Sequence, residues 1–120
     1  MTKHLIDADV LDALGPEGVL INVSRGSVVD ERALIEALQA GKILAAGLDV
    51  YEDEPQVPRE LVEMPQVVLL PHIGSASAHT RAAMGQLVVE NLQSWFECGR
   101  PISPVIETLH LAETAYGRQI

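Results

Sequence analysis

Arg25 and His72 are the residues whose types and surroundings best suit chemistry on a small anionic substrate. Arg25 lies in Asn-Val-Ser-Arg-Gly-Ser, and its guanidinium can grip a planar carboxylate through two parallel hydrogen bonds. Gly26 beside it would let a ligand approach the backbone. His72 lies in Leu-Leu-Pro-His-Ile-Gly-Ser, and histidine exchanges a proton near neutral pH. The ordinary alternatives are a surface arginine in a turn and a structural or exposed histidine.

Three consecutive acidic residues, Glu52, Asp53 and Glu54, could supply a carboxylate to the histidine. A carboxylate close to His72 would favour the protonated imidazole, and Glu54 could be that partner. The alternative interpretation is a solvated acidic loop. We expect only one of the three side chains to point inward.

Other kinds of reactive site find no support in the sequence. His4, His79 and His110 have no metal-ligand spacing, and the single cysteine, Cys98, excludes a cysteine metal cluster and an internal disulfide. No Gly-x-Ser-x-Gly elbow supports acyl transfer, and neither a Gly-x-Gly-x-x-Gly loop nor a P-loop occurs in the chain. We therefore predict no metal site.

Short aliphatic runs alternate with helical patterns along the chain, and the runs predict three buried strands. Aspartates that can cap helices and glycines that can end them bound the helical patterns. The predicted strands lie near Val19–Val23, Leu44–Val50 and Val67–Leu70. Four helices are predicted. The first begins after Asp7 and the second after Asp30. The third is a short turn at Arg59–Glu63, and the fourth runs from about Thr80 to Cys98.

This order of elements is typical of a parallel α/β sheet with right-handed crossovers. The C-terminal ends of such strands meet at one edge of the sheet, and open α/β sheets bind their ligands there. Arg25 and His72 follow the first and third predicted strands, and Asp49 lies at the end of the second. We therefore expect these three residues to cluster at one edge.

The composition limits the classes of partner. The formal net charge of −9 argues against nucleic acid and against an anionic membrane surface, because both need a positive face. No apolar run is long enough to span a membrane, and the N-terminus lacks a signal-peptide pattern. The length suits one small domain. We expect a cytoplasmic protein that contacts neither nucleic acid nor membrane.

Three stretches of the chain carry its distinctive motifs. They are Leu-Ile-Asn-Val-Ser-Arg-Gly-Ser-Val-Val-Asp-Glu at 20–31, Ala-Gly-Leu-Asp-Val-Tyr-Glu-Asp-Glu-Pro at 46–55 and Leu-Pro-His-Ile-Gly-Ser-Ala-Ser at 70–77. These motifs resemble those of the D-isomer-specific 2-hydroxyacid dehydrogenases, and in particular of the glyoxylate and hydroxypyruvate reductases. The resemblance implies an incomplete Rossmann-type parallel sheet of about three strands. It also implies that residues 1–105 are the C-terminal part of an NAD(P)-binding domain, followed by a divergent tail at 106–120.

The resemblance implies a catalytic role for three residues. Arg25 would bind the carboxylate of a small 2-keto or 2-hydroxy acid and polarise its keto oxygen. His72 would donate a proton to that oxygen as hydride arrives from the nicotinamide. Glu54, rather than Glu52, matches the family's glutamate that pairs with the histidine.

The resemblance also implies which residues would contact the cofactor, NAD or NADP. Asp49 resembles the aspartate that contacts the nicotinamide carboxamide. The other positions lie along the nicotinamide end of the cofactor, and they are Val23, Ser24, Arg25, His72, Gly74 and Ser75.

The chain departs from the family in lacking the dinucleotide-binding glycine loop, so the resemblance covers only the nicotinamide half of the site. We therefore expect either a homo-oligomer or a missing N-terminal portion. Two alternatives to the oxidoreductase stay open. One is a nucleotide-sensing interaction protein of the corepressor type, and the other is an inactive truncated remnant.

Overall fold

A computed structural model describes residues 2–109 of the chain. Contacts divide the chain into two compact units, with the boundary between Gly74 and Ser75. In chain order the elements are α1 (Ala8–Leu14), β1 (Val19–Asn22), a 3₁₀ turn (Gly26–Val28), α2 (Glu31–Gln39), β2 (Ala45–Leu48), α3 (Arg59–Glu63), β3 (Val67–Leu69), α4 (Ala78–Cys98) and a 3₁₀ turn (Ile106–Thr108). Most of the predicted tail, residues 110–120, lies outside the described residues, and the predicted boundary at residue 105 stays a prediction.

The sheet of the first unit is parallel and has the order β1-β2-β3. Asn22 pairs with Leu48, and Leu48 pairs with Leu69, so the three strands end level with one another. The predicted α/β class and parallel topology are confirmed. The strands are shorter than predicted because residues 23, 44, 49, 50 and 70 lie outside the paired ladder.

Two predicted helix starts are confirmed by their caps. The Asp7 carboxylate accepts a hydrogen bond from the Val10 N–H at 3.1 Å, and the Asp30 carboxylate accepts one from the Ala33 N–H at 3.0 Å. Each bond satisfies a backbone donor that the first turn of a helix leaves unpaired. These caps fix the first turns of α1 and α2.

The core lies on one face of the sheet, where α1 packs against α2 and α3 packs against β3. The core consists of Leu11, Val29, Leu34, Ala37, Leu38, Ile43, Ala46, Leu48, Tyr51 and Leu61. The prediction that the strands are buried was wrong for the opposite face. Val19, Ile21 and Val68 are 49%, 63% and 63% exposed, because no helix within residues 2–74 covers that face. Alternate side chains of a strand point to opposite faces, so only half of each strand reaches this core.

The second unit consists mainly of α4, which begins two residues earlier than predicted. The Ser77 hydroxyl accepts a hydrogen bond from the Thr80 N–H at 3.1 Å and so caps the helix at Ala78. Gly99 ends the helix in the left-handed conformation, as predicted. No described side chain of α4 is buried, and Phe96 is 83% exposed. None of the described helices is long and apolar enough to cross a membrane.

Candidate active site

The predicted site residues follow the strands at the edge where all three strands end. Arg25 lies three residues after β1, Asp49 directly follows β2, and His72 lies three residues after β3. The structure thus brings these residues to the same edge, as the parallel topology predicts. No group of three His, Cys, Asp or Glu side chains among residues 2–109 could hold a metal ion.

His72 and Glu54 form a hydrogen-bonded pair. The distance from His72 Nδ1 to Glu54 Oε2 is 2.7 Å, and the two side chains are 43% and 35% exposed. The hydrogen bond from His72 lowers the pKa of Glu54 below its usual value, and a hydrogen bond from the Tyr51 N–H adds to this effect. Glu54 is therefore ionised near neutral pH, so His72 Nδ1 is the donor and Nε2 is the nitrogen that faces away from the carboxylate.

The choice of Glu54 over Glu52 agrees with the contacts of both side chains. Glu52 binds at a different place, with its Oε1 atom 2.8 Å from His4 Nε2 and 3.7 Å from Lys3 Nζ. Glu54 accepts from His72 through one oxygen and from the Tyr51 N–H through the other, at 3.0 Å. The two glutamates thus serve two separate histidines, although only one residue separates them in the chain.

Arg25 is exposed on a turn that Asn22 holds in shape. The Asn22 side chain is buried, and its amide donates to the Arg25 carbonyl at 3.1 Å. The Asn22 side-chain oxygen accepts from both the N–H and the hydroxyl of Ser24, at 3.1 and 2.9 Å. The Arg25 guanidinium donates to the Ser24 carbonyl at 2.7 Å and helps to lower the pKa of Glu54. The role of Asn22 in this turn was not predicted from the sequence.

Gly26 is needed for a close approach of the chain to itself. A Cβ atom at this position would lie 1.9 Å from the Tyr51 carbonyl oxygen and 2.5 Å from the Glu52 nitrogen. The expectation that Gly26 lets a ligand approach the backbone stays a prediction. The space belongs to the backbone that follows β2, and the glycine lets the Arg25 turn pack directly against it.

Asp49 holds the loop that carries His72. The carboxylate is almost fully buried, with one oxygen accepting from the Ile73 N–H at 2.8 Å and the other accepting from the Gly74 N–H at 2.6 Å. The bond from Ile73 is the main reason that the pKa of Asp49 lies below its usual value, and the bond from Gly74 adds to it. His72 itself has a φ of 52°, in the left-handed region that a non-glycine residue adopts only when its surroundings hold it there.

A cavity of about 320 Å³ lies beside the pair formed by His72 and Glu54 in the first unit. Glu54 and His72 form its polar wall, and Pro55, Val57 and Leu69 form part of its apolar wall. This volume is within the range of small-molecule sites, and a few polar groups on a mainly apolar wall are usual in such sites. The pair is therefore accessible to a small organic ligand.

The predicted cofactor positions include residues at the end of β1 and in the loop after β3. Val23 is 66% exposed just beyond β1, next to the exposed Ser24, at the edge where parallel sheets bind nucleotides. Gly74 lies so close to Asp49 that an added Cβ would meet its carboxylate at 2.9 Å. Ser75 has a φ of 61° and begins the second unit. Their contacts with a cofactor stay predictions.

The fold is a Rossmann-type arrangement of parallel strands with flanking helices. Residues 1–74 match the family profile described as D-isomer specific 2-hydroxyacid dehydrogenase, NAD binding domain. This match covers more than half of the chain. The chain therefore belongs to the D-isomer specific 2-hydroxyacid dehydrogenase family, which confirms the resemblance of its motifs.

Relatives of this chain include reductases of small keto acids. Glyoxylate/hydroxypyruvate reductase A of Arabidopsis thaliana is 51% identical over 105 residues, which are 88% of this chain and 34% of that protein. A solved structure of NADPH-dependent glyoxylate/hydroxypyruvate reductase from Sinorhizobium meliloti matches with a TM-score of 0.88 at 59% identity, over 90% of this chain and 34% of that one. A second structure of that enzyme, in complex with NADP and malonate, matches with a TM-score of 0.86. The chain thus spans about a third of the length of these relatives.

Proposed function

We propose that this chain supplies the catalytic edge of an NAD(P)H-dependent reductase that converts a small 2-keto acid, such as glyoxylate or hydroxypyruvate, into the 2-hydroxy acid. The hydrogen-bonded pair of His72 and Glu54, at the same sheet edge as Arg25, carries the proposal. A proton donor and a carboxylate binder are the two protein groups that this reduction needs. The names of the relatives from Arabidopsis thaliana and Sinorhizobium meliloti support the same substrates.

Arg25, His72 and Glu54 have different roles in the proposed reaction. Arg25 binds the substrate carboxylate and, through its positive charge, stabilises the negative charge that develops on the keto oxygen. His72 delivers a proton to that oxygen from Nε2, while Nδ1 stays bonded to Glu54. Glu54 orients the imidazole by accepting the hydrogen bond from Nδ1. A bound nicotinamide cofactor would supply the hydride, and Val23, Ser24, Asp49 and Gly74 are among the residues that would hold its nicotinamide end.

The cofactor site needs a further contribution. The chain contains no Gly-x-Gly-x-x-Gly loop, so the pyrophosphate would lack the backbone donors that such a loop and its helix provide. We propose that another segment of a longer protein, or a second copy of this chain, supplies them. Either arrangement could also cover the apolar sheet face at Val19, Ile21 and Val68.

A hybrid enzyme would test the proposed roles directly. The chain would replace the matching third of the Sinorhizobium meliloti reductase, and reduction of glyoxylate and hydroxypyruvate would be followed by NADPH oxidation. His72→Ala should lower kcat by about 100-fold or more, because it removes the proton donor. Arg25→Ala should lower kcat/KM by roughly 10- to 100-fold, which corresponds to charged hydrogen bonds of about 1.5–3 kcal/mol. Arg25→Lys should recover only part of this loss, since an ammonium lacks the planar fork.

The two glutamates provide a matched pair of variants in the same hybrid. Glu54→Gln removes the carboxylate whose pKa the hydrogen bond from His72 lowers, so the acid side of the pH profile of reduction should change. Glu52→Gln should leave the pH profile unchanged, because Glu52 binds His4 instead. A profile that shifts with Glu52→Gln and not with Glu54→Gln would show that the roles are assigned to the wrong residue. If neither variant shifts it, the pairing does not control the proton transfer.

A further inference from the structure

Tyr51 contacts Glu54 and the backbone that leads to His72 through different atoms, although it was not predicted as a site residue. It lies three residues after the last residue of β2, and it is 8% exposed. Burial raises the pKa of its hydroxyl, so the hydroxyl keeps its proton and acts as a donor. Its distances to the neighbouring segments show what it holds in place.

The Tyr51 hydroxyl fixes the backbone that leads to His72. It donates to the Leu70 carbonyl at 2.8 Å, and the Leu48 carbonyl lies 3.2 Å away as a second acceptor. The Leu70 N–H donates to the Leu48 carbonyl. Pro71 has no N–H, so it cannot donate a backbone hydrogen bond that would fix the chain just before His72. The Leu70 carbonyl is therefore the anchor on the N-terminal side of His72, and the Asp49 bonds to Ile73 and Gly74 are the anchor on the other side.

The backbone of the same residue holds the other two segments of the site. The Tyr51 N–H donates to Glu54 Oε1 at 3.0 Å, which fixes the carboxylate that His72 binds. The Tyr51 carbonyl packs against Gly26, directly after Arg25, so closely that no side chain fits between them. One buried residue thus touches the segments that carry Arg25, Glu54 and His72.

We propose that Tyr51 is a positioning residue whose hydroxyl holds His72 in hydrogen-bonding register with Glu54. His72 has a φ of 52°, in a sparsely populated region, and hydrogen bonds restrain the chain on both sides of it. Loss of the hydroxyl frees the N-terminal side while the anchor at Asp49 remains. The consequence for catalysis rests on the proposed function, but the geometry of the pair does not.

Tyr51→Phe tests this role because it removes one oxygen atom and keeps the ring and both backbone contacts. The ¹³C resonance of the Glu54 side-chain carboxyl would be followed by NMR as a function of pH in the full chain, and assigned by its loss in Glu54→Gln. In the parent, the bond from His72 holds the pKa of Glu54 below its usual value. In Tyr51→Phe we expect this pKa to rise toward the usual value, and the His72 ring resonances to shift with it.

Ile43→Val is the control for a merely structural effect. Ile43 is buried in the same core, and the loss of one methyl group should destabilise the fold without touching the site. The pKa of Glu54 should stay at its parent value in this variant.

Should Tyr51→Phe unfold the chain, the titration would be repeated in sucrose, which favours the folded state. An unchanged Glu54 titration in folded Tyr51→Phe would overturn the proposal. Since no turnover is measured, the outcome does not depend on whether the chain is a reductase.

Discussion

Gly26→Ala should separate the Arg25 turn from the backbone that follows β2. The added Cβ would lie 1.9 Å from the Tyr51 carbonyl oxygen, whereas ordinary contact begins at 3.4 Å, so the two segments must move apart by about 1.5 Å. Gly26 is not among the glycines with positive φ, so the penalty is steric and not conformational. Overpacking of this kind costs about 1–3 kcal/mol in the free energy of unfolding. A displacement near 1 Å at a reacting group can lower turnover about 100-fold.

Urea unfolding of the chain, followed by circular dichroism, would measure the first effect. With a denaturant slope of about 1–3 kcal/mol per molar, the midpoint should fall by roughly 1 M. Gly85→Ala is the matched control, because a Cβ at this position in α4 meets nothing within 4 Å. It should leave the stability unchanged or raise it by up to about 1 kcal/mol through helix propensity. The steric reasoning is refuted if Gly26→Ala is as stable as the parent, or if the two variants behave alike.

Three further expectations concern binding, association and acid stability. By calorimetry, the chain alone should bind NADH or NADPH no more tightly than roughly 1 mM, about −4 kcal/mol, because it has no glycine loop; micromolar binding would contradict this. Sedimentation should reveal self-association, because Leu92, Trp95 and Phe96 of α4 are 54%, 48% and 83% exposed; a sharp melt from a strictly monomeric sample would count against it. The lowered pKa of Asp49 contributes stability that is present above about pH 4 and is lost as the pH falls through the lowered value. Asp49→Asn should therefore be less stable than the parent at pH 7, and its stability should fall less on acidification. If the free energy of unfolding of the two proteins changes with pH in the same way, Asp49 is not a source of acid sensitivity.

The elements of this fold could be predicted because their signals are local. The Asp7 and Asp30 caps and the Gly99 stop depend on residues within one turn of each helix end, and each lies where the sequence predicts it. The parallel order follows from the alternation of strands and helices together with the handedness of crossovers. The position of Arg25 and His72 at one edge of the sheet follows from this topology, so it could be predicted without knowing any side-chain contact.

The sequence did not predict the features that depend on contacts between distant segments. Asn22 and Tyr51 resemble ordinary strand and loop residues, and their roles are visible only once the Ser24 turn and Leu70 lie beside them. The exposure of Ile21 was missed because an aliphatic run has the same composition whether one face or both faces are covered. Only the packing of the whole sheet decides which of these applies.

The first residues that follow β2 position the site and do not take part in its chemistry. Asp49 and Tyr51 contribute no group that the proposed reaction consumes, yet their bonds to Gly74 and Leu70 hold the chain on both sides of His72. A left-handed histidine is costly, so these two anchors must offset that cost for the imidazole to stay opposite Glu54. Variants at each of the two anchors should therefore alter the titration of Glu54. If they act through the same loop, the effect of the double variant will differ from the sum of the two single effects.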